Sequence, residues 1–360
     1  MKAVIARELN DIAVMDVELE PPRAGEVLVQ MRATGVCHSD LSIINGTIGH
    51  RLPAVVGHEG AGIVEQVGDG VTQVGPGDHV VMSFVPNCGD CFYCQRGEPF
   101  CCERNVVDGG LLDGTSRVRL NGEEIAVTLF QGNMAEYAVV PECCVVAVDP
   151  SYDFRVAALV SCGVTTGVGA ALRTARVQPG STVAVFGCGG VGLNVVQGAR
   201  IAGATRIVAI DLSTEKLELA LAFGATDTVA PGTNPVKAIR ELTGGYGVDY
   251  AFEAVGNGKL VETCVKSTRM NGTTVLVGIG GIDDTFTLNT LAVPMTGKTI
   301  RGCLFGSANF RVDVPMYLSM YRRGMLDIDR LISRTYSIDE APRAFADLER
   351  GVNARGVIVY

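Results

Sequence analysis

Residues 182–211 read TVAVFGCGGVGLNVVQGARIAGATRIVAID. The run TVAVF has the apolar, β-branched character of a fully buried strand. Gly187-Cys188-Gly189-Gly190-Val191-Gly192 then satisfies G-x-G-x-x-G, NVVQGARIAGA reads as a helix, and RIVAID as a second strand. A lone G-x-G-x-x-G is weak evidence. Here it directly follows a strand and opens a helix, and Asp211 ends the next strand 19 residues after Gly192. That is close to the spacing of about 20 expected for an acid that binds a ribose. Gly187 permits the tight turn, Gly189 lets the backbone approach a pyrophosphate, and Gly192 lets helix and strand pack closely. The helix N-terminus favours the phosphate's negative charge. Asp211 accepts hydrogen bonds from ribose hydroxyls and repels a 2′-phosphate, which favours NAD over NADP. Lys216, five residues on, is within reach of the same ribose. The competing reading is a packing turn with a solvated aspartate at a strand end.

Outward from this stretch, STEKLELALAFGA reads as a helix ending at Gly224, and ATDTVA, VDYAFEAVG and TTVLVGI as further strands. VTTGVGAALRTARV, just after Cys162, is helix-like. Apolar strands alternating with helices imply α/β architecture with a parallel sheet covered on both faces. Residues 1–160 look different. Short apolar runs such as EVLVQMRA, AGIVEQVG, DHVVMSF and AEYAVVP are bounded by turn residues, with Gly75-Pro76-Gly77-Asp78 marking a turn between two of them. From about residue 304 the pattern is mixed, and ARGVIVY looks like a strand returning to the first region. The expected division is a nucleotide domain at 164–303 and a mainly β domain made of 1–163 and 304–360.

The chain has 360 residues, enough for roughly two domains. Its formal charge is −9, and no Lys/Arg cluster exceeds the pair Arg322, Arg323. Nucleic acid and anionic membranes are therefore poor partners. The N-terminus, MKAVIARELNDIAV, lacks an apolar signal core. No window approaches the roughly 18 uninterrupted apolar residues of a membrane span. A cytoplasmic location is the expectation, and there thiols stay reduced.

That bears on Asn87–Cys102, NCGDCFYCQRGEPFCC, which holds five of the twelve cysteines. Cys88, Cys91, Cys94 and Cys102 can supply four thiolates to one tetrahedral Zn²⁺, a closed and therefore structural site. Cys101 is then a spare. Disulfides or a redox pair are the competing reading. Cys37 in GVCHSD, His58 and Glu59 in GHEGAGIVEQVG, and Cys162 in SCGVTTG are too far apart for spacing alone to assemble them.

With those motifs in order, the chain resembles a zinc-dependent medium-chain alcohol dehydrogenase over essentially its whole length. Gly57-His58-Glu59-Gly60-Ala61-Gly62 matches the family's G-H-E-x(2)-G, and GVCHSD, the cysteine lobe, SCGVTTG and GxGGVG fall in the family's sequence of motifs. The resemblance implies a Rossmann doubly wound sheet plus a mainly β GroES-like catalytic domain. It implies that Cys37, His58 and Cys162 bind a catalytic zinc, giving two zinc ions per chain, with Glu59 just behind the metal and Asp40 on the other nitrogen of His58. It places His38, Thr166, Val277 and Arg355 at the cofactor with the glycine motif, His38 and Arg355 on its phosphates and Thr166 near the nicotinamide. Ile48, Phe84 and Ile279 fall at positions lining the substrate pocket.

The implied reaction is oxidation of primary aliphatic or aromatic alcohols to aldehydes, and the reverse. Zinc stabilises the alkoxide, Ser39 starts the proton relay, and hydride passes to NAD⁺. Ser42 stands where many relatives carry a relaying histidine, and serine is no base near pH 7. His50 is a loop candidate for that role. The stretch from Asp113 resembles the longer loop of the dimeric, liver-type branch, so a homodimer is expected, with residues 299–304 near the seam. The alternative activity is a formaldehyde dehydrogenase acting on a thiol adduct, for which Arg104 offers an arginine after the lobe. A zinc-free binding or sensor protein on the same fold is disfavoured by the retained Cys37, His58 and Cys162.

Overall fold

The computed structural model describes every residue except Val107. It divides into two units, Met1–Gly163 with Asn309–Tyr360, and Val164–Ala308. The chain re-enters the first unit at Asn309 rather than 304. The intervening turn belongs to the second unit: Ser307 Oγ lies 2.8 Å from Thr174 Oγ1. An added Cβ on Gly169 would come within 2.6 Å of the Gly306 carbonyl oxygen, so that helix and turn meet backbone to backbone.

The second unit is built on six parallel strands. Their order across the sheet is Asp227–Val229, Arg206–Ile210, Thr182–Phe186, Val248–Glu253, Thr268–Leu276 and Thr299–Gly302. By chain order this is 3-2-1-4-5-6, so the sheet reverses direction between Thr182–Phe186 and Val248–Glu253. Open α/β sheets bind ligands at that switch point, beyond the carboxyl ends of the strands. Val183, Ala184, Val185 and Phe186 are buried, as a strand with both faces covered requires. The helix Gly190–Ile201 buries Leu193 through Ala199. The helix Thr214–Phe223 starts where Ser213 Oγ accepts from the Lys216 N–H and stops at Gly224, whose φ of 114° suits glycine.

The first unit is mainly β. Its longest strand, Glu26–Val36, pairs antiparallel with Glu59–Val67, Tyr137–Pro141 and Arg355–Val359. The C-terminal strand Arg355–Val359 thus returns to the first region, and Ile332–Ser337 lies parallel beside it. The turn at 75–78 is closed by the Asp78 N–H donating to the Gly75 carbonyl at 3.1 Å. A smaller sheet joins Ala126–Val127, Ala54–Val55, Lys2–Glu8 and Asp11–Asp16.

The helical run Phe154–Ala175, 22 residues long, is long and apolar enough to cross a membrane. Yet 83% of its most apolar window is buried inside the protein, so those side chains serve a core. The run also contains π turns at Val160–Val164 and Ala170–Ala175. Such turns are rare and cluster at functional sites, and the first carries Cys162.

Candidate active site and metal centres

The strand Glu26–Val36 runs straight into Cys37, which precedes the short helix His38–Ile44. The neighbouring strand begins at Glu59, opposite Gly35. This register brings Cys37 and His58 to one end of the sheet. The π turn delivers Cys162 to the same place, where the Ser161 hydroxyl donates to the Met82 carbonyl at 2.6 Å. One ligand atom each from Cys37, His58, Glu59 and Cys162 lie within 4.8 Å of one another, and all four residues are buried. His58 Nδ1 stands 2.9 Å from Asp40 Oδ2, and Asp40 Oδ1 accepts the Gly57 N–H at 2.9 Å. His58 Nε2 is buried with no protein partner.

A buried, orphaned imidazole nitrogen facing two thiols is costly unless a cation sits among them. The groups of the cluster perturb one another strongly, and the hydrogen bond with Cys37, followed by burial, holds the Cys162 thiol well above its ordinary pKa. A hydrogen bond with Cys162 is the largest cause holding the Cys37 thiol well below its ordinary pKa. Burial is the largest influence on His58 and lowers its pKa, but Asp40 and Cys37 overcome it and hold the ring well above the usual value. Two thiolates and an imidazole fit Zn²⁺ and leave a fourth position open, the pattern of a catalytic rather than a structural site.

Glu59 lies behind this cluster, and burial pushes its carboxyl up to about 8. Its Oε1 is 3.2 Å from an Arg355 nitrogen. Two glycines make room for this pair. A Cβ on Gly35 would stand 2.2 Å from Glu59 Oε2, and one on Gly163 would stand 1.9 Å from Arg355 Nη2. Sequence reading missed both glycines and the ion pair. The only available signal was a glycine inside a strand pattern, which marks close approach. Arg355, expected on cofactor phosphates, is instead 4% exposed and engaged with Glu59.

Ser39 Oγ lies 3.8 Å from Cys37 Sγ. The Phe84 ring meets His58 edge-on at 5.5 Å. Ile48 is half-buried, its N–H donating to the Ser42 carbonyl at 2.8 Å. His38 is exposed. His50 Nδ1 lies 2.9 Å from the Arg51 carbonyl, a local loop contact. Asp40→Asn is expected to lower zinc affinity or kcat/KM by about 10–100-fold, the usual effect of losing the partner that orients a metal-binding histidine. Zinc titration and steady-state kinetics on the folded variant would measure it.

The cysteine lobe forms a second cluster. Sγ–Sγ distances are 3.8 Å for Cys88–Cys94, 3.9 Å for Cys91–Cys102 and 3.5 Å for Cys88–Cys102. A zinc ion with bonds of about 2.3 Å requires tetrahedral edges of about 3.8 Å, whereas a disulfide needs about 2.05 Å. All twelve cysteines are free thiols, so the disulfide reading fails and the residues fit zinc. Cys101 lies in the turn Pro99–Cys101 and is outside the ligand set. Arg104 bonds Asp90 at 2.7 Å beside the lobe.

In the second unit the glycine motif lies at the sheet's switch point. Gly187 has a φ of +93°. Asp211 is fixed by two backbone donors, Cys188 N–H at 2.7 Å and Ser213 N–H at 2.9 Å, which tie the strand end to the glycine loop. Lys216 stands on the helix that Ser213 caps. Val277 is buried, its N–H donating to the Glu253 carbonyl at 2.8 Å. Thr166 is half-buried, and Ile279 is 63% exposed. The loop fits a dinucleotide pyrophosphate by a steric criterion. A Cβ on Gly192 would collide with the Gly187 carbonyl at 1.8 Å, while a Cβ on Gly189 meets nothing within 4 Å and so fills open space over the loop. Gly192→Ala is therefore expected to destabilise the fold. Gly189→Ala should fold normally yet bind cofactor at least about tenfold more weakly. Thermal melts and cofactor titrations separate the two.

A doubly wound nucleotide unit joined to a mainly β unit with one open and one closed cysteine-containing metal cluster defines a zinc-dependent dehydrogenase. Comparison with known proteins makes the assignment specific. The Zinc-binding dehydrogenase family model matches residues 190–320 and the Alcohol dehydrogenase GroES-like domain model matches residues 23–150. The chain is 40% identical over 363 residues to an NDMA-dependent alcohol dehydrogenase of Amycolatopsis methanolica, covering 99% of this chain and 98% of that protein. It is 37% identical to an S-(hydroxymethyl)glutathione dehydrogenase of Escherichia coli, covering 97% and 96%. The crystal structure of benzyl alcohol dehydrogenase from Acinetobacter calcoaceticus superposes with a TM-score of 0.94 at 31% identity, covering 99% and 98% of the two chains. The chain belongs to the zinc-dependent medium-chain alcohol dehydrogenases and is an oxidoreductase.

Proposed function

We propose that this protein oxidises primary aliphatic or aromatic alcohols to aldehydes, and runs the reverse reaction, with NAD as hydride carrier. The observation that carries the reading is the buried convergence of Cys37, His58 and Cys162, with His58 Nε2 unpartnered. When bound, zinc supplies the Lewis acidity that lets a hydroxyl lose its proton near neutral pH, and NAD⁺ supplies the hydride acceptor. The protein's residues do the rest. Cys37, His58 and Cys162 hold the metal, with Asp40 orienting the imidazole. Ser39 Oγ takes the alcohol's proton and passes its own onward. Ser42 offers no base, so the proton leaves from Ser39 to water. Phe84 and Ile48 give the alcohol's tail an apolar wall. The glycine loop holds the pyrophosphate and Asp211 the adenosine ribose, with Lys216, Thr166 and Val277 as further cofactor contacts.

Asp211→Ala removes the carboxylate that repels a 2′-phosphate. The ratio of kcat/KM for NADP⁺ over NAD⁺ is expected to rise by about tenfold or more, and an unchanged ratio would move the ribose site elsewhere.

A second reading, oxidation of a formaldehyde–thiol adduct, is favoured by the similarity to the Escherichia coli protein. Its candidate arginine, Arg104, lies beside the lobe in an exposed pair with Asp90. NAD⁺ reduction across alkanols and benzyl-type alcohols, each with and without added thiol, discriminates the two. Rates that rise with apolar tail size and ignore thiol support the first reading, and activity only with formaldehyde plus thiol supports the second. Because one relative is described as NDMA-dependent, the panel is repeated with NDMA. Turnover with NDMA but not with added NAD⁺ would mean that free NAD⁺ is not the working acceptor.

A homodimer is part of the proposal. Thr299–Gly302 is an edge strand of its sheet, and the nearby Leu291 and Met295 are each 69% exposed. Exposed edges and apolar patches of this kind call for a cover. A monomeric mass by light scattering would remove this part.

A further inference from the structure

Beside the cysteine lobe, within the first unit, lies a cavity of about 390 Å³ that the chemistry above does not use. Arg23, Arg104 and Arg311 line it together with Glu26, Asp113 and Glu142. All three acids are engaged. Glu26 Oε2 accepts from Arg117 Nε at 2.9 Å. Asp113 Oδ2 accepts from Arg117 Nη2 at 2.7 Å and from Arg23 Nη1 at 3.2 Å. Glu142 Oε1 accepts the backbone N–H groups of Thr72 and Gln73, both at 2.6 Å. Two of the cations are also engaged, Arg23 with Glu20 and Asp113, and Arg104 with Asp90.

Arg311 differs. Its Nε is buried without a hydrogen-bond partner. It stands in the first turn of the 13-residue helix Phe310–Arg322, where free backbone N–H groups already make the end positive and a cation is unfavourable. The acid of that turn, Asp313, turns one oxygen to the Asn309 N–H at 2.8 Å. The positive field reaches the cavity wall at Cys143. A hydrogen bond with Cys144 first, and then the Arg104 and Arg311 charges acting against burial, hold that thiol below its ordinary pKa.

A guanidinium offers a planar fork of donors matched to carboxylate and phosphate oxygens. A cavity of this size suits a small ligand. We propose that this cavity binds a small oxyanion, the carboxylate or phosphate group of a metabolite-sized molecule, on the Arg311 guanidinium. The site is separate from the catalytic cluster, since Cys37, His58 and Cys162 do not line it, whereas the lobe ligand Cys88 does.

Cys143 lines the same cavity and reports on its occupancy. The zinc-loaded enzyme is treated with iodoacetamide, an uncharged reagent, in phosphate, succinate or chloride at matched ionic strength. Alkylation of Cys143 is read by peptide mass spectrometry, and phosphate binding is read independently by ³¹P line broadening. Phosphate or succinate at about four times Kd is expected to slow Cys143 alkylation about fivefold by mass action, with chloride without effect. Arg311→Gln removes the protection and the line broadening. Arg311→Lys, which keeps the charge and loses the fork, weakens both and decides the matter if the first variant does not fold. Protection by one oxyanion and not the other assigns the group recognised. Equal alkylation in all three salts with no line broadening overturns the proposal, as does protection that survives in the Arg311 variants.

Discussion

Replacing Cys162 by serine is expected to lower kcat/KM for alcohol oxidation by about a thousandfold or more while one of two zinc ions per chain is lost. Cys162 sits in a π turn whose backbone aims its Sγ at Cys37 and His58. A serine hydroxyl keeps the volume but is not ionised near neutral pH, so the metal keeps only one thiolate and one imidazole. Lewis-acid stabilisation is worth several kcal/mol, and each 1.4 kcal/mol is tenfold in rate. The fold should survive, because the turn is held by Ser161 through the Met82 carbonyl and not by the thiol. Elemental analysis, steady-state rates and circular dichroism on one preparation provide the check. A loss below about tenfold with two zinc ions retained would remove Cys162 from the ligand set.

The second large effect is on stability. Cys102→Ser is expected to release the lobe zinc and lower Tm by on the order of 10 °C, while Cys101→Ser moves Tm by no more than about 2 °C and keeps both ions. Structural zinc binding contributes about 10–16 kcal/mol in small zinc domains. Losing one thiolate forfeits a part of this, and 1 kcal/mol is about 2–4 °C for a unit of 150–250 residues. Cys102 is 3% exposed and 3.5 Å from Cys88 Sγ. Cys101 is half-buried, outside the ligand set, and influenced chiefly by burial with Glu98 nearby. A surface-type substitution of that kind costs within about 0.5 kcal/mol. Equal losses in both variants would show that the two cysteines share the ion.

The parts of this molecule legible in its sequence are the parts that local chemistry builds. The glycine loop is a strand, a turn and a helix in continuous chain, and its steric needs are written at Gly187 and Gly192. The lobe is a loop of closely spaced cysteines whose thiols converge over sixteen residues, Asn87 to Cys102. The catalytic cluster is different. Cys37 and His58 meet because Gly35 pairs with Glu59 across an antiparallel register, and Arg355 arrives because Gly356 pairs with Val36. Long-range strand register leaves no local signature, so only resemblance assembled Cys37, His58 and Cys162. The Glu59–Arg355 pair was missed for the same reason. The π turn at Cys162 was missed because the helix reading began only at its end, at Val164, and a π turn has no distinct composition. The apolar composition of Phe154–Ala175 makes that buried run long and apolar enough for a membrane.

The central claim is that Cys37, His58 and Cys162 hold a catalytic metal distinct from the lobe's. Anomalous diffraction from crystals at the zinc absorption edge tests it most directly. Two peaks per chain are expected, one within bonding distance of Cys37 Sγ, His58 Nε2 and Cys162 Sγ, the other among Cys88, Cys91, Cys94 and Cys102. A single peak at the lobe, in protein that still oxidises alcohols, would contradict it.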